Sequence, residues 1–345
     1  MMHKTHFISD FEEGGTVEDL FVLAEARQAE SKNGPYWNLK LQDKTGRIEA
    51  KIWHPQSSQY TNLAPEQLVL LQGQVRAFRG QPQMTVHRLQ VLDPREMAIN
   101  WADFIPSSAR PPEELLAELE GLFRDELAFR PWRSFCRQVL SDADIRERFL
   151  AAPAAKTIHH AYRGGLVEHS LQVARLCLAV CDSYPDLDRD LLLAAAGFHD
   201  LGKAWELGAG ISPDYTDPGR LVGHIQLGLE VLEPFLQKTR HLDPGLILHF
   251  KHLLLSHHGE YAFGSPKRPK TPEAFVLHHA DNLDAKIKAW DQAVSGLNLS
   301  ETQWTAYLPF LERPLYHPPR TGDFMQQTGQ PKPPSGRQCL LPLKE

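Results

Sequence analysis

Seven side chains able to ligate a metal ion run through the middle of this chain in the order His169, His199-Asp200, His224, His257-His258 and Asp281. All are imidazole or carboxylate. Twelve of the 17 histidines fall between His159 and His279. Packing does not account for that density, because imidazole fills a core poorly and a buried polar group needs a partner. Neutral imidazole and carboxylate together suit divalent transition metals, and a carboxylate can bridge two of them. The pattern points to metal-assisted hydrolysis, and it asks for a fold that returns repeatedly to one place.

The sequence carrying these residues reads as helices. PEELLAELEGLFRDELA opens with proline and repeats apolar residues at spacings of three and four. Further helices are expected over Pro131–Leu140, Asp142–Leu150, Gly165–Ser183, Arg189–Asp200, His224–Thr239, Gly245–Ser256 and Pro272–Gly296. His169 falls near the start of one of these, and His199-Asp200 ends another, with Gly202 read as the helix stop. Neighbouring helical residues project about 100° apart, so His199 and Asp200 reach one metal only if it lies near the helix end. His278 and His279 stand close to Asp281 and compete with it as ligands on sequence alone.

The first 95 residues are different. Alternating segments separated by Asn33-Gly34-Pro35, Lys44-Thr45-Gly46 and Arg79-Gly80-Gln81 read as four or five strands with hairpin turns and a short helical stretch near Ala64–Gln67. That pattern suits a small Greek-key barrel of the OB type, with a plain β-sandwich as rival. The expected organisation is a β-barrel over residues 1–95, a linker over 96–112 and an all-α domain over 113–308. A proline-rich extended tail follows over 309–345.

Net charge is −6, which argues against nonspecific coating of nucleic acid. Between Ser31 and Arg88, however, eight basic residues face three acidic ones. OB barrels hold single strands by stacking bases on aromatics while cations follow the backbone. Tyr36, Trp37, Trp53 and Phe78 interleave here with Lys32, Lys40, Lys51, Arg76 and Arg79. A barrel also needs aromatics inside. Trp37 and Phe78, beside basic turns, are the surface candidates, with Lys40, Arg76 and Arg79 on the phosphates. The four cysteines form no CxxC pair, no apolar run is long enough for a membrane span, and MMHKTHFISDFEEGG has no secretory h-region. A cytoplasmic setting is expected.

The order H…HD…H…HH…D with HDLGK at its centre resembles the HD phosphohydrolase superfamily. KTIHHAYRGGLVEHS, RDLLLAAAGFHDLGK, GRLVGHIQLG and LLSHHGEYAFGSPKRPKTPEAFVLHHADNLDAK, with the OB-like module, resemble one branch of it, the YhaM-type 3′→5′ exoribonucleases. The resemblance implies that His169, His199, Asp200 and Asp281 hold one metal. It implies that His224, His257 and His258 hold a second, with Asp200 bridging. Mn²⁺ is the first choice, with Fe²⁺, Mg²⁺ or Co²⁺ as alternatives. The implied substrate is single-stranded RNA, with single-stranded DNA as a second candidate, and the implied polarity is exonucleolytic from the 3′ end; homo-oligomerisation is left open.

Around this set, Lys203 is placed to meet a phosphate oxygen or protonate a leaving group, or is simply a lysine at a helix end. His160 is a substrate-contacting or supporting group. Lys267, in the basic loop Gly264–Lys270, holds an RNA backbone or is solvated. Lys286 is a phosphate contact, and Asp284 orients its neighbours. Two other readings remain: an HD phosphohydrolase for nucleotides or cyclic dinucleotides, and a single-strand-binding protein whose HD site is structural. No GYP segment follows His257-His258, which counts against cyclic dinucleotides.

Overall fold

The computed structural model describes residues 4–78, 81–93, 99–100, 103–104, 107–108, 110–155, 160–208, 214–295, 297, 302–308 and 311–319. Five strands come first: β1 (Thr16–Ser31), β2 (Gly34–Asp43), β3 (Gly46–Ile52), β4 (Leu68–Phe78) and β5 (Gln81–Leu92). They close into a barrel in the order β1-β2-β3-β5-β4. The long β1 makes this possible. Its first half pairs with β4 and its second half with β2, with a bulge between Leu23 and Glu25 where it changes partner. A short parallel pairing of Lys51 and its neighbours with β5 completes the ring. Two-residue turns join Ser31 to Gly34 and Asp43 to Gly46.

Period-2 alternation fills the barrel with Phe21, Leu23, Leu39, Leu41, Ile52, Val69 and Met84. Gly73 of β4 lies where the β4–β5 register shifts, and a Cβ there would stand 2.7 Å from Thr85 O. β1 does not alternate cleanly, because Leu20 and Val22 face outward and are covered by Phe104. The expected linker is thus partly anchored: Phe104 O accepts from Gln42 Nε2, and Asp103 pairs with Lys44. The helical stretch expected near Ala64–Gln67 is instead a turn with Glu66 at φ 68°, and a 3-10 turn lies at Gln56–Gln59.

Ten helices are described: α1 (Pro112–Glu126), α2 (Arg130–Ser141), α3 (Ala143–Ala151), α4 (Gly165–Ser183), α5 (Arg189–Phe198), α6 (Lys203–Glu206), α7 (Asp217–Leu221), α8 (His224–Lys238), α9 (Pro244–Ser256) and α10 (Pro272–Val294). Their core is aromatic at the centre. Trp132, Phe135, Phe198 and Phe250 meet edge-to-face or tilted, with centroids 5.3 to 5.8 Å apart. α5 is buried from Leu191 to Phe198, so its end, carrying His199-Asp200, is fixed from all sides. Among the described residues no helix is long and apolar enough to cross a membrane. Of the expected tail, residues 311–319 carry isolated bridges to 304 and 308, and residues 320–345 lie outside the described set.

Candidate metal centre

After Phe198 the chain tightens rather than ending the helix: Leu201 N donates to Phe198 O and Lys203 N to Asp200 O. His199 and Asp200 are therefore both carried at one helix end. Gly202, read from sequence as the helix stop, leads instead into the short helix α6. Its φ of −60° is ordinary right-handed backbone. The glycine is needed for close approach, because a Cβ would lie 1.9 Å from His224 O and 2.5 Å from Gly228 N. That contact sets α8, and His224 at its start, against the HD turn. At the start of α4 a Cβ on Gly165 would lie 2.0 Å from His160 O, and His160 takes a left-handed φ of 54°.

Two groups of donor atoms result, and they share Asp200. His169, His199, Asp200 and Asp281 each offer an atom within 4.8 Å of the others, and so do Asp200, His224, His257 and His258. In the first group His169 Nε2 lies 3.2 Å from Asp281 Oδ1, 3.4 Å from Asp200 Oδ2 and 3.2 Å from His199 Nε2. In the second, His224 Nε2 and His257 Nε2 each lie 3.5 Å from Asp200 Oδ1. Donors about 2.1 Å from a common cation stand roughly 3 to 3.5 Å apart.

Hydrogen bonding on the far side of each ring fixes which nitrogen faces inward. His199 Nδ1 donates to Ala196 O (2.9 Å), His257 Nδ1 to Leu254 O (2.7 Å) and His258 Nδ1 to Phe263 O (3.0 Å). A carbonyl only accepts, so these rings present a bare Nε2 to the site. His224 Nδ1 is held by Glu206 (3.2 Å) and His169 Nδ1 by Asp284 (2.7 Å). Asp200 Oδ1, His224 Nε2 and His257 Nε2 are buried and have no hydrogen-bond partner. Orphaned donors of this kind, converging around a carboxylate, fit a divalent cation. No thiol belongs to either group.

The electrostatics agree. Burial pushes the His199 and His257 imidazoles below their ordinary pKa, and it pushes His258 down to about 4, aided by His257 and His224. These rings are neutral ligands at neutral pH. Burial works against the Asp200 carboxylate, yet Lys203, His199, His169 and His257 hold it well below the usual range. Burial also lowers His169, but Asp200, Asp281 and Asp284 outweigh it and pull the ring well above its ordinary value. Three carboxylates thus draw positive charge to the place where the bare nitrogens converge.

Of the other expected site residues, Lys203 lies inside the site, with Nζ 2.6 Å from Asp200 Oδ2. His160 is a correction to the substrate-contacting reading and fits the supporting one: it is 1% exposed, with Nε2 at Asp284 Oδ2 (2.9 Å) and Nδ1 at Tyr162 Oη (3.1 Å). It sits behind His169, on the same carboxylate. Lys286 is exposed and about 140° round α10 from Asp281. Lys288, not Lys286, shares the Asp281 face, and it bonds Glu168 at 2.7 Å. Lys267 is exposed, in a loop pinned by Ser265 Oγ to Leu255 O and Lys267 O. His278 Nδ1 is turned to His257 O, and His279 is exposed. Glu206 went unnoticed in the sequence; its one available signal was an acidic residue six positions after Asp200 on the next turn of chain.

On the barrel, Trp37 is the third correction. It is 5% exposed and its Nε1 donates to Tyr60 O. Alternation along β2 puts Trp37 inside with Leu39 and Leu41, and Tyr36 outside. The outward aromatic set is the partly buried Tyr36 stacked on Trp53 (4.9 Å), with half-exposed Phe78. Lys51 Nζ stands 5.2 to 5.5 Å from all three ring centroids. Lys40 pairs with Glu25 and Arg76 is exposed, whereas Arg79 lies outside the described residues.

A buried His/Asp centre on helices, preceded by a five-stranded OB barrel, defines an HD-domain hydrolase joined to a nucleic-acid-binding module. Residues 166–286 match the HD domain family, and residues 22–92 match the family of OB-fold nucleic acid binding domains. The chain is 34% identical over 292 residues to the 3'-5' exoribonuclease YhaM of Bacillus subtilis, covering 84% of this chain and 91% of that protein. The protein of the same name from Listeria welshimeri is 34% identical over 287 residues, 83% of this chain and 90% of the relative. The chain belongs to the YhaM family.

Replacing Asp284 with Asn tests the support behind His169. The amide keeps the shape but no longer holds the ring as an acceptor with full charge. Metal affinity is expected to fall about 10- to 100-fold, read by titrating metal into the stripped protein. Unchanged affinity would remove Asp284 from the site.

Proposed function

We propose that this protein is a metal-dependent 3′→5′ exoribonuclease that shortens single-stranded RNA to nucleoside 5′-monophosphates, with single-stranded DNA as a second substrate. The observation that carries the proposal is the sharing of Asp200 by two ligand groups, seen beside YhaM relatives that are named for this activity. Two divalent ions, Mn²⁺ first, would be held by His169, His199, Asp200 and Asp281, and by Asp200, His224, His257 and His258. When bound, such a pair lowers the pKa of water and clamps an in-line phosphoryl displacement. Release of a 5′-monophosphate requires cleavage of the bond from phosphorus to the 3′ oxygen.

The chain's own residues set the geometry of that step. Asp284, Glu206 and the carbonyls of Ala196, Leu254 and Phe263 keep each imidazole pointed inward. Burial disfavours the Lys203 ammonium, but Asp200 and Asp281 raise its pKa above the ordinary value. It therefore stands as a fixed cation beside Asp200, placed to meet phosphate oxygens. The barrel's Tyr36, Trp53, Phe78 and Lys51 supply the stacking faces and charge that a single strand requires, and Lys267 is available to a phosphate.

The test is digestion of 5′-labelled single-stranded RNA with added metal. A descending ladder that needs Mn²⁺ and stops with chelator is expected. Intact RNA, where small nucleotides are hydrolysed, would replace this reading with a nucleotide phosphohydrolase. Trp53→Ala should weaken binding of long strands by roughly 5- to 150-fold, the value of one stacked base, while sparing hydrolysis of dinucleotides. Equal binding by the variant, measured by fluorescence anisotropy, would take the platform off the RNA path.

A further inference from the structure

The turn that follows His257-His258 shows its aromatic side chains to solvent. Tyr261 is 60% exposed and Phe263 65% exposed. Exposed rings on a loose loop would mean little, but this segment is tightly built. Gly259 and Gly264, both at positive φ, bracket the 3-10 turn Tyr261–Phe263. Ser265, 3% exposed, ties the loop back to Leu255 O, and Lys267 N donates to the same carbonyl. Phe263 itself is bonded to the metal centre: its carbonyl is the acceptor that orients His258 Nδ1. The backbone of Phe263 thus orients a donor of the second group while its ring stands in solvent.

The surroundings suit a polyanion carrying flat bases. Lys267, Arg268 and Lys270 follow within the same loop, against the single acid Glu260. Arg268 pairs with Glu260 at 2.7 Å and lies over the Tyr261 ring at 5.1 Å, which holds that ring in place from one side. The bond from His258 to the Phe263 carbonyl sets this turn beside the second ligand group. Stacking on an aromatic ring is indifferent to base identity, as an enzyme that consumes a strand end by end requires.

We infer that Tyr261 and Phe263 form a nucleobase-stacking subsite beside the second ligand group, which seats a base adjoining the scissile phosphodiester. The inference rests on the nuclease reading and adds a contact to the base where the ligand groups address only the phosphate. It separates this subsite from the barrel platform, which grips the strand elsewhere along the chain.

The experiment compares the full-length protein with Phe263→Ala and Tyr261→Ala, each first checked for unchanged thermal midpoint and metal content. One readout is emission from RNA ending in 2-aminopurine at its 3′ terminus, mixed with protein in chelator. Wild type should quench it and Phe263→Ala should not. The second readout is steady-state hydrolysis in Mn²⁺ of strands ending in a normal or an abasic 3′ residue. Wild type should prefer the normal end by about 5- to 150-fold, mainly in KM, and the variants should lose that preference. Equal quenching by wild type and variants, or an abasic preference unchanged by them, would overturn the subsite. Quenching that depends on Phe263 in a protein that hydrolyses no RNA would retire the nuclease reading and leave the subsite standing.

Discussion

Asp200→Asn should reduce kcat/KM on RNA by on the order of 10³ or more, the several kcal/mol that metal charge contributes to a phosphoryl transition state. Asp200 serves both ligand groups at once: Oδ2 faces His169 and His199, and Oδ1 faces His224 and His257. An amide keeps one neutral acceptor and turns its other end into a donor, so it cannot bridge two cations. Asparagine is preferred to alanine here for a physical reason. Removing the carboxylate outright leaves the Lys203 ammonium without its 2.6 Å partner, and breaking a buried pair costs about 3 to 5 kcal/mol. The expected profile is a stable protein with lost turnover, reduced bound metal and single-strand binding near wild type. Turnover within a few-fold of wild type would remove the shared-carboxylate arrangement altogether.

The residues that make this site were legible because their chemistry is scarce. A packed helical core has little use for imidazole and carboxylate, so their recurrence along apolar helices marks a site, and α4 is described over the span, Gly165–Ser183, that periodicity indicates. The barrel was legible for a related reason, since the turn signals Asn33-Gly34-Pro35 and Lys44-Thr45-Gly46 bracket alternating strands, the first turn falling one residue earlier, at Lys32-Asn33. What escaped the sequence has physical causes. Helices α6 and α7 are four and five residues long, less than the two turns needed to show a period. The acceptors behind His199, His257 and His258 are backbone carbonyls, which every residue carries. Trp37 was misplaced by weighing its basic neighbours over its parity with Leu39 and Leu41. His160 stayed open between contact and support because a polar residue in a histidine-rich stretch reads as either, and its partners Asp284 and Tyr162 come from the fold.

Gly202 shows what such a misreading hides. Glycine after a helical run suggests a left-handed stop, yet here the backbone is right-handed and the missing Cβ is what matters. In Gly202→Ala the new methyl would meet His224 O at 1.9 Å, His224 C at 2.8 Å and Gly228 N at 2.5 Å. All three are backbone atoms, so no side chain can swing aside. Relief requires α6 and α8 to separate by about 1.5 Å, the gap between that contact and ordinary van der Waals distance. His224 would move with α8, away from Asp200 Oδ1, now 3.5 Å from its Nε2. A displacement near 1 Å at a reacting centre costs about 10² in rate, and overpacking against a rigid neighbour costs about 1 to 3 kcal/mol of stability. Gly223→Ala separates the two effects. That position has φ +81° and ψ 157°, a region essentially confined to glycine, and open space around its Cβ, so alanine there brings backbone strain of about 1 to 3 kcal/mol without a clash. Gly202→Ala should therefore lose metal from the His224 group and most of its turnover at a stability cost similar to that of Gly223→Ala, which should keep its metal. Full metal content and wild-type kcat in Gly202→Ala would mean that the approach of α6 to α8 does not place His224.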